Sequence, residues 1–117
     1  MPREIHTTAQ TDVVVASAAR TATGATAVLP GFGGMALLRC QLDVTVVSGV
    51  SPTLAVLLED TLDGTNFNTV GTFTARTAAG REVINVTAPF TDRLRVSFTL
   101  GGTTPSFTFA VALYSEA

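Results

Sequence analysis

Two stretches of alternating apolar residues, each broken near its middle by a glycine and then a proline, confine this chain to a β fold. The first runs from Leu38 to Leu58 and breaks at Ser48-Gly49-Val50-Ser51-Pro52; the second runs from Arg93 to Leu113 and breaks at Gly101-Gly102-Thr103-Thr104-Pro105. Before the first break Leu38, Cys40, Leu42, Val44 and Val46 share one side of a strand, with Arg39, Gln41, Asp43 and Thr45 on the other. Past it Leu54, Val56 and Leu58 continue the inward row. In the second stretch Leu94, Val96, Phe98 and Leu100 are answered by Phe107, Phe109, Val111 and Leu113. Alternation on both sides of a Gly/Pro break predicts a β-hairpin in each stretch. The breaks differ by one residue in length, and the recurrence reads as shared hairpin grammar more than as a duplicated domain.

The remaining text extends the same pattern. Residues 1–11 are polar and Thr-rich, hold Pro2 and the single histidine, and read as an extended N-terminal arm before a domain at 12–117. Short strands are expected at 13–18 and 25–29, followed by Pro30-Gly31-Phe32-Gly33-Gly34, which fits only a loop. Asp63-Gly64 predicts a tight reversal into a strand over 66–74, and Val83, Ile84 and Val86 mark another before Pro89. No segment carries helical periodicity. The expectation is an all-β chain: one two-sheet antiparallel β-sandwich, jelly-roll or Ig-like, of seven or eight strands. A chain of 117 residues suits one such domain.

Composition narrows the function classes. Charged residues are 14% of the chain, against about 25% in an average domain, and the mean hydropathy is +0.41. Some apolar surface is therefore expected to be covered by a partner. No apolar run approaches the ~18 residues of a membrane span, so no membrane partner is expected. The N-terminal text lacks a signal-peptide core, which points to a protein made in a cytoplasm and makes the Asn85-Val86-Thr87 sequon fortuitous. All 7 basic residues are arginine, and the net charge of −2 gives no basic face for nucleic acid.

Catalytic chemistry finds no constellation. A nucleophile needs an adjacent base, and His6 stands alone in the arm while Cys40 falls in an inward row. Zinc would need three or four ligands. The cluster Glu59, Asp60, Asp63 with Gly64 is the one candidate for Ca²⁺, lacks a dedicated loop's spacing, and reads better as a solvated hairpin end. No carboxylate pair is joined across a cleft by spacing, and Pro30–Gly34 is not followed by the Gly-Lys-Ser/Thr of a phosphate loop. Neither a metal, a cofactor nor an enzyme is expected. Sugar binding lacks tryptophan platforms, with Tyr114 the only tyrosine beside 7 Phe.

Three stretches carry a resemblance: Leu42 to Leu54 with its Ser-Gly-x-x-Pro-Thr-Leu, Glu59 to Phe67 with its Asp-Gly-Thr, and Arg93-Leu94-Arg95-Val96 followed by Gly101-Gly102-Thr103-Thr104-Pro105-Ser106-Phe107. In this order they resemble small β-sandwich virion proteins of tailed bacteriophages, over roughly residues 38 to 113. The resemblance implies a capsid decoration or cement protein that sits on the capsid surface as a homotrimer and clamps neighbouring major capsid protein subunits, without catalytic residues. The same turn grammar would serve a tail or head-fibre component, and a carbohydrate or cell-surface binding module on a virion is a second alternative. The candidate contact residues are Pro2, Arg3, Ile5 and His6 in the arm, Phe32 in the glycine-rich loop and Leu57 on an outward row. Trimer contacts are expected at the outward positions Val47, Ala55, Leu57, Ala110 and Ala112.

Overall fold

The computed structural model describes residues 9–117; Pro2, Arg3, Ile5 and His6 lie outside the described residues. Six strands follow in order: β1 (Ala9–Arg20), β2 (Gly24–Ala25), β3 (Leu37–Thr61), β4 (Phe67–Thr72), β5 (Gly80–Asn85) and β6 (Arg93–Glu116), with no helix among the described residues. Ala9 to Thr11, in the segment read as arm, pair with Glu116 to Tyr114 of β6.

The two predicted hairpins are not hairpins. β3 and β6 each run unbroken through their Gly/Pro segment and pair with one another along their whole length, from Leu37↔Glu116 to Thr61↔Arg93. Neither stretch pairs with itself. Local alternation shows that a chain is extended, but it carries no record of which strand supplies the hydrogen bonds.

The breaks nonetheless fold the chain back. Phe98 and Phe109, eleven positions apart on β6, meet edge to face with ring centroids 5.3 Å apart, where a straight strand would separate them by about 35 Å. Gly71, paired with Leu58 of β3, lies against Ile84, which is paired with Cys40 at the other end of that strand. The β3/β6 ribbon is thus folded double at its middle, the corner by which a strand passes from one sheet to another. One sheet holds β1, the 106–116 half of β6, the 37–48 half of β3, and β5; the facing sheet holds β2, the 93–100 half of β6, the 53–61 half of β3, and β4. Counted by halves these are eight antiparallel segments, ordered 1-8-3-6 and 2-7-4-5, which is a jelly roll.

Backbone conformation explains the corner. Gly49 and Gly102 have φ of 114° and 102°, and Ser51 and Thr104, each just before a proline, have φ of 49° and 44°. The two segments sit on each other: a Cβ on Gly49 would fall 2.7 Å from the Thr104 carbonyl oxygen, and one on Gly102 would fall 2.5 Å from that of Ser51. Only hydrogen fits at both places. A β-branched residue at positive φ is a strained conformation that its surroundings must hold.

The pairing has an approximate two-fold symmetry about this corner, relating β1, β2 and β3 to β4, β5 and β6. In β1, Thr11 to Val13 are paired, Val14 bulges and Val15 resumes; in β4, Phe67 to Thr69 are paired, Val70 bulges and Gly71 resumes. Gly24 opens β2 opposite Phe98, and Gly80 opens β5 opposite Val44. The recurrence in sequence therefore extends to both halves of the fold.

Both sheets contribute to one core, with Leu38, Cys40, Leu42 and Val44 facing Leu54, Val56, Leu58, Leu94, Val96 and Phe98. One inward assignment fails. Val46 is 57% exposed, and Val47, expected to face outward, packs against the core, because the ladder slips by a residue between Val44 and Val46. A one-residue bulge inverts the sides beyond it, until the further slips between Ser48 and Thr53 bring Leu54 back to the inward row. Cys40 is fully buried, and desolvation pushes its thiol up to about 12.

Two outcomes are expected. Gly49→Ala and Gly102→Ala each lose stability by at least ~1–3 kcal/mol through positive φ alone, with the close carbonyls adding to it, whereas Gly34→Ala, with nothing near its Cβ position, stays within about 0.5 kcal/mol; urea unfolding measures all three. Cys40 resists a thiol reagent at pH 8 in the folded protein and reacts once denaturant opens the core.

Candidate functional site: two unlike outer faces

The sequence-selected residues do not gather into one site. Phe32 is 2% exposed. Its loop crosses the end of the sandwich opposite the corner, held by the Phe32 N–H donating to the Asp92 carbonyl at 3.1 Å and the Gly33 N–H donating to Asp92 Oδ1 at 3.0 Å. The ring closes the core and offers no surface to a partner, since apolar burial under a glycine-rich loop is worth more than exposure. Leu57 is half-buried on the outer face of the second sheet, between Ser97 and Thr72. Ala55 is exposed there, and Ala110 and Ala112 are half-buried on the outer face of the first sheet.

The acidic cluster disperses. Glu59 Oε1 accepts from Arg95 Nε at 2.8 Å, and Asp60 is buried and accepts from the Thr91 N–H at 3.1 Å. Asp63 alone belongs to the solvated turn, where it accepts from the Thr65 and Asn66 N–H groups at 2.9 and 2.8 Å and from Asn66 Nδ2 at 2.7 Å. Among the described residues no three His, Cys, Asp or Glu side chains converge on one ion position.

The outer faces of the two sheets occupy equivalent places in the approximate two-fold but carry different surfaces. On the second sheet Arg95 lies 3.4 Å from the centroid of the Phe67 ring while paired to Glu59. This stack roofs the sheet with its own side chains. On the first sheet the equivalent positions are Gln41, Thr11 and Ala112, all smaller. They leave an open groove of about 350 Å³ lined by Thr11, Arg39, Gln41, Val83, Ala112 and Tyr114. Val13, at 66% exposure, stands beside Ala112 in the same ladder row, and Val83, at 43%, edges the groove on the other side. Tyr114 donates to a Glu116 carboxylate oxygen, and that hydrogen bond, with burial and the carboxylate charge behind it, raises the phenol above its usual range.

The groove was not visible in the sequence as a site. Ala112 is an outward residue by parity, but Val13 and Val83 come beside it only through the β1/β6 and β3/β5 pairings, which join residues far apart in the chain.

No protein-family model matches the chain, and no curated protein matches its sequence. In fold it is similar to a chain in the structure of the Gx strain of infectious bursal disease virus, with a TM-score of 0.64 and 11% identity over 96% of this chain and 32% of that one. This chain thus spans about a third of the viral chain it resembles.

The turn's pH response follows from the Asp63 hydrogen bonds. They hold its carboxyl below the ordinary carboxylate range, with the Asn66 N–H the largest contributor. A folded-state depression stabilises above the unfolded value of about 4 and is lost as pH falls through the folded value. Asp63→Asn is therefore expected to flatten the acid limb of the stability curve below about pH 4, measured as urea midpoint against pH.

Proposed function

We propose that the chain is a virion structural protein, and within that class a decoration protein that binds the outer surface of a phage shell formed by a major capsid protein. The observation that carries the proposal is the similarity of almost the whole chain, as a single jelly roll, to a chain of a virus structure. Jelly rolls recur in viral shells and in lectins, so fold alone leaves the role open. The narrower assignment rests on the phage-like motifs at 42–54, 59–67, 93–96 and 101–107.

The physical role follows from multiplicity. A subunit that touches two neighbouring shell proteins lowers the free energy of the assembled shell more than that of the free parts. Repeated over many copies, contacts that are weak singly hold together as a multivalent set. A rigid sandwich suits this work because its faces keep their shape under load.

Added to shells that lack it, the purified protein is expected to co-sediment to saturation at a fixed ratio to the major capsid protein and to raise the temperature at which the shells break open. Recovery on tails or host cells, with no shell binding, would turn down the decoration role. Deletion of residues 2–8 leaves the β1 ladder whole and is expected to weaken attachment if the arm grips the shell.

A further inference from the structure

We propose that the grooved outer face of the first sheet is a two-fold contact with a second copy of the same chain. It goes beyond the virion role and does not depend on it. The two outer faces are equivalent by the fold's symmetry, and only one is covered from within, by Glu59, Arg95 and Phe67. The other leaves Val13 and Val83 exposed, whereas the other exposed large apolar residues lie at the start of β3 (Leu37), near the corner (Val46 and Val50) or at the Asp63 turn (Leu62).

What covers it is argued from the order of its ladder rows. The middle row reads Val13, Ala112, Gln41, Val83; the row to one side reads Thr11, Tyr114, Arg39, Asn85; the row to the other has Ala110, Asp43, Arg81. Two such faces packed with the axis along the middle row place each strand over its own counterpart and exchange the flanking rows. Arg39 of one copy then stands over Asp43 of the other, twice, because a two-fold contact is reciprocal. Tyr114 stands over the small Ala110, and Arg81 over the neutral Asn85. Along the axis Val13, Ala112 and Val83 meet themselves, and the Gln41 amide, which both donates and accepts, can pair with its own copy. Facing sheets stack at about 10 Å, which leaves room for one layer of side chains from each. A three-fold arrangement, implied by the phage resemblance, does not generate the reciprocal Arg39/Asp43 pair.

Sedimentation equilibrium on the full chain provides the test. A dimer is expected, and Val83→Arg, on an edge strand clear of the core, is expected to give a monomer with an unchanged circular-dichroism spectrum; Ala112→Arg repeats the test at the groove floor. Arg39→Asp and Asp43→Arg, made singly, set like charges against each other and are expected to weaken the dimer about tenfold each. The double variant restores opposite charges and is expected to recover most of that loss. Positions 39 and 43 lie about 13 Å apart along one strand, beyond the ~8 Å over which charges act in physiological salt, so recovery can arise only between copies. A wild-type monomer, a trimer, or a double variant no tighter than the singles overturns the proposal.

Discussion

Everything in this molecule depends on two backbones coming closer than side chains allow. At the corner Gly49 lies on the carbonyls of Thr103 and Thr104, and Gly102 lies on those of Val50 and Ser51. Each segment is the steric environment of the other, and that packing holds Ser51 and Thr104 at positive φ. That reciprocity lets a two-stranded ribbon fold double without breaking, and folding double turns one long ladder into two facing sheets. The single core, the Phe98/Phe109 contact and the Phe32 plug at the far end all presuppose it.

The sequence displayed the inward rows almost completely. Leu38, Cys40, Leu42, Val44, Leu54, Val56, Leu58 and the matching rows of β6 are buried as their parity implies. It also displayed the fold-back points and the turn at Asp63. What stayed hidden was long-range. Glycine followed by proline marks a change of direction equally well where a strand turns onto itself and where it crosses into another sheet, so the partner of each half was unreadable. The inversion at Val46 and Val47 had no local sign, since the slip belongs to the pairing of β3 with β6, two stretches far apart in the chain. The groove was hidden for the same reason, being defined by rows that join β1, β6, β3 and β5.

The approximate symmetry shows how such a fold can specialise. Two equivalent faces need not do the same work. On one, replacing Gln, Ala and Thr by Arg, Glu and Phe at matching positions makes a surface that satisfies its own charges and covers its own floor. The other keeps the small residues and an unroofed floor. The corner and the bulges at Val14 and Val70, by contrast, keep their symmetry, because the same backbone geometry is required at both.

The central position of β6 has a kinetic side. It follows the other five described strands in the chain, yet it lies in the middle of both sheets, flanked by β1 and β3 in one and by β2 and β3 in the other. Its partners on β3 are between 32 residues away, at Thr61 and Arg93, and 79, at Leu37 and Glu116. Ladders of such long sequence separation close slowly, because loop entropy is lost before contacts reward it. Before β6 is made, β4 and β5 can pair with β3, but β1 and β2 have no partner and the apolar rows that β6 covers stand open. The two-sheet core therefore closes only once β6 has joined both sheets, and the apolar rows it covers stay open for that interval.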